Sequence, residues 1–397
     1  MPGSHPYLTY ATARLACMLC FMAPGLAYGL VTSRMPALKT LTGATEGEIG
    51  LILLVFGLAG LVGLSCAPKL VERLTAKTTL VAAAVGCMLF VVLVAFSTSV
   101  VFFGVSMALL GLCVGVCDVT MNIQGVYVER TYSRNTMTIL HGGYNIGAAA
   151  AAASGSVFAV TSLPLWVNYA LPAALMAFLI WWAEPRLLTA QDAEKSDAGN
   201  DKETKAAAKV GRLPLLVWIC GLLCVCCYVV EGTVGEWGSL YLHQVKSAPE
   251  SVAALVFAGF SVCSLFCRLT ADRLRNAFGD VFLSTAGALL ALAGMLTVLT
   301  ASGWTACLAG YALIGLGLAP IVPIAFSRAG AVKDVNQAKA TALVSLLAYA
   351  GLLFAPPAFG LAAEHFGLHA SLSAVPVLLT VLFVLGLIMG RLLKKSL

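Results

Sequence analysis

Long apolar runs alternate with short polar segments along the whole chain. The apolar residues within each run are continuous and do not alternate with polar ones. A helix needs about 20 largely apolar residues to cross a bilayer, whereas a transmembrane β-strand shows alternation. The pattern therefore predicts an all-α polytopic membrane protein. Its twelve predicted spans are residues 9–33, 47–67, 78–97, 101–127, 135–160, 164–183, 213–242, 251–271, 281–300, 303–327, 338–362 and 370–391.

Composition and charge support this topology. Of the 397 residues, 60% are hydrophobic and 11% are charged, against about 25% charged in soluble proteins. If the N-terminus is cytoplasmic, 21 of the 24 Lys and Arg residues fall in cytoplasmic segments, and only Arg34, Lys39 and Lys246 fall outside. Because cytoplasmic loops are enriched in Lys and Arg, we predict that both termini are cytoplasmic. The net charge of +6 does not indicate nucleic-acid binding.

The chain divides into two similar halves. Residues 184–212 carry six acidic and six basic side chains and are typical of a flexible linker. We predict a six-helix bundle over residues 1–184, a cytoplasmic linker over 185–212 and a second six-helix bundle over 213–397. Residues 111–115 align with 315–319, and 136–144 with 341–349, at offsets of 204 and 205. These matches indicate two pseudo-symmetric bundles, as in secondary transporters that bind solute between repeats.

An acid lies inside the fourth predicted span. Asp118, Asn122 and Gln124 interrupt an otherwise apolar run. A charged side chain at the bilayer centre costs about 2.5–3.5 kcal/mol on insertion scales, so such residues are functional candidates. We predict that Asp118 binds and releases a proton with His141 of the next span as its partner, and that Asn122 shares its face. The alternatives are a hydrogen bond that joins two helices and, for His141, a bond to a backbone carbonyl.

The seventh predicted span contains the deepest acid, Glu231. Gly232, Gly235 and Gly238 follow it and make this helix easy to bend. We predict Glu231 as a second proton or solute site. The alternative for the candidate aromatic residues is helix packing or an interfacial aromatic belt. The predicted solute-binding side chains are Asn122, Gln124, Tyr28, Tyr144, Asn145, Trp237 and Tyr349.

Arg268, Asp272 and Arg273 are predicted to lie in the cytoplasmic loop between the eighth and ninth spans. An Asp between Arg residues at helix ends can form a salt bridge that opens and closes, so these three are gating candidates. The alternative is ordinary positive charge on the cytoplasmic side.

Several classes of function are not expected. Buried acids without a convincing buried Lys or Arg favour a neutral polar or cationic solute over an anion. No Walker loop or hydrolase or kinase motif is present, so we expect no enzyme and no cofactor. The 13 Cys residues lie mainly in apolar runs without nearby His, so neither disulfides nor a metal site is expected. The expected partners are protons, a small solute and lipid, for a monomer that binds no nucleic acid.

Residues 271–279, ADRLRNAFG, together with the two six-span halves and the central linker, resemble the major facilitator superfamily. Residues 118–130 and 141–147, DVTMNIQGVYVER and HGGYNIG, resemble its bacterial YbjJ-like permease group. More distantly, Asp118 and Asn122 are similar to the fourth helix of the fucose–proton symporter branch. The resemblance implies a multi-pass protein of the bacterial inner membrane, with Asp118 as the proton site and Asn122 beside the solute.

These observations lead to one expected function and two alternatives. We expect a proton-coupled secondary active transporter that moves a small neutral polar solute, such as a sugar or related metabolite, by alternating access. Proton-driven efflux of cationic or amphipathic compounds is the first alternative. The second is a non-transporting solute sensor or lipid-handling protein on the same fold.

Overall fold

The computed structural model describes residues 8–134, 136–192, 213–332 and 337–395, and all regular secondary structure within them is helical. The part of the predicted linker at residues 193–212 lies outside the described residues. In the first half the helices are α1 (Tyr10–Ser33), α2 (Met35–Thr42), α3 (Glu46–Leu74), α4 (Ala76–Val94), α5 (Val100–Tyr132), α6 (Met137–Ala159) and α7 (Leu165–Ala183).

In the second half three of the predicted spans each consist of two consecutive helices. One such break falls before Pro320, which has no N–H to continue the helical hydrogen bonds. The helices are α8 (Leu215–Gln244), α9 (Glu250–Ala253), α10 (Val256–Phe278), α11 (Asp280–Thr300), α12 (Trp304–Leu318), α13 (Ile321–Gly330), α14 (Gln337–Phe366), α15 (Leu368–Leu372) and α16 (Val375–Lys395).

Eleven helical segments of the described chain are long and apolar enough to cross a membrane. They coincide with eleven of the twelve predicted spans. The fifth predicted span, residues 135–160, forms the 23-residue helix α6 but does not belong to this set. His141, Tyr144 and Asn145 lower the hydropathy of its first turns, and its long alanine run adds less apolar character than Leu or Ile would.

Polar side chains fix the ends of several of these helices. Ser99 precedes α5, and its hydroxyl accepts a hydrogen bond from the Phe102 N–H at 3.3 Å. The Glu129 carboxylate, near the end of α5, accepts bonds from the N–H groups of Thr136 (2.6 Å) and Met137 (2.8 Å). Because the first N–H groups of a helix have no partner within it, Glu129 caps α6 and fixes the α5–α6 connection.

The chain forms two compact units. The first comprises Met1–Ala44 and Ile52–Glu203. In this unit α1 packs closely against α6 through small residues. A Cβ atom placed on Gly29 would lie 2.6 Å from the Ala148 carbonyl oxygen, and one placed on Gly25 would collide with the Tyr144 carbonyl oxygen. Small residues therefore allow the two backbones to touch.

The second unit comprises Thr45–Leu51 and Thr204–Leu397. Here α11 and α12 make the same kind of contact, because a Cβ atom on Gly294 would lie 2.5 Å from the Gly310 carbonyl oxygen. The segment Thr45–Leu51, the start of α3, belongs to this unit by its contacts. A Cβ atom on Gly50 would lie 2.7 Å from the Pro356 carbonyl oxygen of α14.

One contact recurs in both units. A Cβ atom on Gly111 of α5 would collide with the Phe56 carbonyl of α3, and one on Gly315 of α12 would collide with the Phe260 carbonyl of α10. The spacing is 204 residues for both partners (315 − 111 and 260 − 56). Because glycine and carbonyl carry the same offset, the repeat seen in the sequence is matched by equivalent packing.

Candidate functional site

Asp118 lies in the second half of α5 and is partly exposed. Asn122 follows it by one turn, and its side-chain amide donates a 2.7 Å hydrogen bond to the backbone carbonyl oxygen of Asp118. The i, i+4 spacing thus brings the two residues together through the backbone of Asp118. This bond fixes the position of an amide one turn from the carboxyl group.

Gln124 lies on the buried side of the same helix and is fully buried. Its Nε2 donates a 2.7 Å bond to the Leu188 carbonyl oxygen, which ties α5 to the segment after α7. Its Oε1 has no hydrogen-bond partner within the described residues. Gln124 therefore has a clear structural contact and one open acceptor.

The predicted residues on α1 and α6 differ in their surroundings. His141 is exposed, and its ring meets the edge of Phe21 with 5.1 Å between ring centroids. Tyr28 and Tyr144 are partly exposed, whereas Asn145 is buried. The Asn145 Nδ2 lacks a hydrogen-bond partner in the described part of the chain. The pairing of Asp118 with His141 stays a prediction.

Several side chains of the second unit interact electrostatically with Tyr228 of α8. Glu231 of α8, Arg268 of α10 and Tyr349 of α14 all lie within electrostatic range of the Tyr228 hydroxyl. Tyr228, Glu231 and Arg268 are partly exposed, and Tyr349 is 44% exposed. An acid, a cation and two hydroxyl groups can bind a polar solute through charge-assisted hydrogen bonds. We call these four residues the Tyr228 cluster.

The placement of Arg268, Asp272 and Arg273 in a loop is wrong. All three lie in α10, and Arg268 is at the middle of that helix. The polar residues after the apolar run continue the helix as far as Phe278. Arg268 therefore places a cation among the helices of the second unit. The sequence argument against an anionic solute assumed that the spans hold no such cation, so that argument no longer applies. Its Nε is buried without a hydrogen-bond partner among the described residues.

An ion cluster that the sequence did not reveal lies where α11 begins. The buried carboxylate of Asp280 accepts bonds from Arg275 Nε at 2.8 Å and Arg328 Nε at 2.5 Å. Arg275 also donates to the Ser327 hydroxyl at 3.3 Å. Of the predicted gating residues, Arg273 is exposed, and the side chain of Asp272 lies outside the described residues. The signal that could have identified Asp280 is its place after Gly279, at a helix start.

Trp237 and Arg34 are two further buried groups. Trp237 of α8 is fully buried, and its Nε1 has no hydrogen-bond partner in the described chain. Arg34 is only 8% exposed. It donates 3.3 Å bonds to the Gly155 carbonyl oxygen and to Asn168 Oδ1. These bonds join the end of α1 to α6 and α7.

Comparison with known proteins agrees with this architecture. The family model of the Major Facilitator Superfamily matches residues 17–249. The uncharacterized transporter y4wD of Sinorhizobium fredii is 30% identical over 371 residues, which are 90% of this chain and 96% of the relative. An uncharacterized MFS-type transporter of Yersinia pestis is 28% identical, with 92% of this chain and 93% of the relative covered.

Solved structures share the fold at low sequence identity. A point mutant of the nucleoside transporter NupG superimposes with a TM-score of 0.73 at 14% identity, covering 96% of this chain and 99% of its own. A bacterial homolog of the human lysosomal transporter Spinster gives a TM-score of 0.71 at 14% identity, with 98% of both chains covered. The family match covers more than half of this chain, and the curated relatives span nearly all of it. This membrane protein therefore belongs to the Major Facilitator Superfamily of transporters.

Proposed function

We propose that this transporter couples proton movement to the transport of a small polar solute by alternating access. The observation that carries the proposal is Asp118, a partly exposed carboxyl group in an apolar helix with the Asn122 amide fixed one turn away. A carboxyl group in such surroundings is a natural proton carrier. The resemblance of Asp118 and Asn122 to the fucose–proton symporter branch supports the same role.

In this proposal polar side chains bind the solute, which is a neutral polar molecule such as a sugar or related metabolite. Within the first unit Asn122 offers a hydrogen bond to such a molecule. Within the second unit, taken by itself, the Tyr228 cluster offers an acid, a cation and two hydroxyl groups. Arg268 also admits a solute with a negatively charged group. The protein acts as a monomer in the bacterial inner membrane, with both termini in the cytoplasm.

Transport in reconstituted vesicles tests the proposal. The purified full chain is placed in proteoliposomes with an imposed pH gradient, and accumulation of sugars, polyols, nucleosides and amino acids is measured. We expect gradient-driven accumulation of one solute class, its loss in Asp118→Asn, and retained solute exchange in that variant. Asp192→Asn, which removes a partly exposed carboxylate that bonds Thr189, is the matched control. Normal accumulation by Asp118→Asn would refute the role of Asp118.

Efflux of cationic or amphipathic compounds is the second candidate. The acids Asp118 and Glu231, both partly exposed, favour it because they can bind a cation. In the same vesicles, proton-driven movement of an amphipathic amine with no response to the polar panel would establish efflux. Absence of flux for every compound would favour a sensor or lipid-handling role.

A further inference from the structure

A second acid of α8 differs sharply from Glu231 in its surroundings. Glu236 lies five residues further along the helix and is only 5% exposed. Its Oε2 has no hydrogen-bond partner within the described residues. Glu231, in contrast, is partly exposed and lies near the Tyr228 hydroxyl. The more deeply buried acid of this helix is therefore Glu236.

Gly232 of α8 and Leu352 of α14 lie near the Glu236 carboxyl group. A Cβ atom on Gly232, one turn earlier, would lie 3.8 Å from Glu236 Oε2 and 3.4 Å from a Leu352 methyl carbon of α14. The carboxyl group and a Leu352 methyl group therefore both lie beside Gly232. Its neighbour Trp237 is fully buried, and its indole N–H is also without a partner in the described chain.

Titratable and charged groups also lie on the elements that pack against α8. Tyr311 of α12 lies against Gly238, and His369 Nδ1 is 2.9 Å from the Tyr241 hydroxyl. Among the described residues none forms an ion pair or a hydrogen bond with Glu236. The remaining titratable or charged groups of these elements are Glu46, Glu48, Glu250, Cys263, Cys267, Arg268, Arg273, Arg275, Cys307, Arg328, Lys339, Tyr349, Glu364, His365, Arg391 and Lys394.

An ionised carboxylate in such a place would be very unfavourable. Burial of an unpaired charge costs far more than burial of a neutral polar group, because no water or counter-charge replaces its hydration. A neutral carboxylic acid avoids most of this cost. The geometry is therefore compatible with a carboxyl group that holds its proton in this conformation.

We propose that Glu236 is the proton-carrying acid of the second unit, while Glu231 belongs to the solute-binding Tyr228 cluster. This inference rests on the proposed proton-coupled function. Glu236 holds a proton while it is buried. Bending of α8 at Gly232, Gly235 or Gly238 would admit water, after which the O–H bond breaks, the electron pair stays on the carboxylate and the proton passes to water.

Infrared spectroscopy tests the protonation of Glu236 without any knowledge of the solute. The purified full chain in lipid nanodiscs is compared with Glu236→Gln at neutral pH. We expect the variant to lose one carbonyl band of a protonated carboxylic acid. Glu364→Gln, at an exposed position of the same unit, is the matched control and should lose carboxylate absorption instead. Loss of carboxylate absorption in Glu236→Gln would overturn the inference.

Two further measurements keep the test decisive. If Glu236→Gln does not fold, Glu236→Asp should retain a protonated-acid band at a shifted position, and absence of that band would refute the inference. Gradient-driven accumulation should be lost in Glu236→Gln while solute exchange persists. An intact acid band combined with normal accumulation by Asp118→Asn would refute the role of Asp118 but leave the protonation of Glu236 standing.

Discussion

The two repeat units share their packing and differ in their chemistry. Gly111 against Phe56 and Gly315 against Phe260 make the same contact at the same 204-residue offset. At the same offset, Asp118 and Asn122 of α5 correspond to Val322 and Phe326 of α13. Close backbone contact requires a small residue, whereas these four partly exposed side chains are free to differ. The shared glycine contacts therefore indicate the duplication of the six-helix unit, and the different polar side chains indicate that the two units have different roles.

At the ion cluster, in contrast, the second unit has the charged side chains and the first unit does not. Asp280, Arg275 and Arg328 correspond at offset 204 to Ala76, Val71 and Gln124 of the first unit. Gln124 bonds the Leu188 carbonyl oxygen instead of a carboxylate. The first unit therefore fixes this end of its helices with a neutral amide, and the second unit fixes it with charges. Each unit can be perturbed separately to test this contrast.

The largest effect is expected from glycine substitutions at the shared contact. Gly111→Ala and Gly315→Ala should each lower the free energy of unfolding by about 3 kcal/mol, because the added carbon overlaps a backbone carbonyl that cannot rotate away. Thermal unfolding in detergent measures this. Gly259→Ala of α10, whose added carbon meets no atom within 4 Å, is the matched control. It should gain up to about 1 kcal/mol from helix propensity. Unequal losses at 111 and 315 would contradict equivalent packing.

A smaller effect is expected at the charged end of the second unit. Asp280→Asn removes the negative charge and one of the two oxygens that accept bonds from Arg275 and Arg328. It should cost about 2 kcal/mol, since hydrogen bonds to charged groups contribute about 1.5–3 kcal/mol. Chemical unfolding with the helical circular-dichroism signal checks this value. Arg273→Ala, at an exposed position of α10, should change it little. Equal stability of both variants would mean that the cluster does not hold α11 and α13 together.

The corresponding amide of the first unit should matter less. Gln124→Leu loses the bond to Leu188 and leaves that carbonyl oxygen unpaired, at a cost of about 1–2 kcal/mol. Stability and solute binding are measured side by side in this variant. A loss of stability with unchanged affinity would assign Gln124 a structural role. Weaker binding with unchanged stability would support its predicted place in the solute site.

The smallest effect is expected at an exposed ion pair of the first unit. Lys77 Nζ lies 3.0 Å from Glu184 Oε1, with 22% and 45% of the side chains exposed. Such pairs contribute about 0–1 kcal/mol. Lys77→Met should therefore change the free energy of unfolding by less than about 0.5 kcal/mol, and high salt should remove even this difference. A loss as large as that of Asp280→Asn would abolish the contrast between the two units.

The sequence predicts the helices well because each apolar run must be long enough to cross a bilayer. It is less informative where polar residues extend a helix beyond its apolar run, as in the α10 segment that holds Arg268. It is also less informative where polar residues lower the hydropathy of a helix, as in α6. Ranking acids by distance from the span centre favoured Glu231, but burial depends on which neighbouring helices cover each face. The bonds of Arg34 to Gly155 and Asn168, and the bond of Asp280 to Arg328, join residues distant in sequence and carry no local signal.

The assignment of Thr45–Leu51 to the second unit has a consequence for biosynthesis. The backbone of Glu46 lies 2.6 Å from the position of a Cβ atom on Gly360, which is synthesised 314 residues later (360 − 46). The second unit is therefore complete only after α14 has been synthesised and has packed against Thr45–Leu51. Contacts of such long separation slow folding. During translation the early turn of α3 therefore cannot form this contact until α14 has been synthesised.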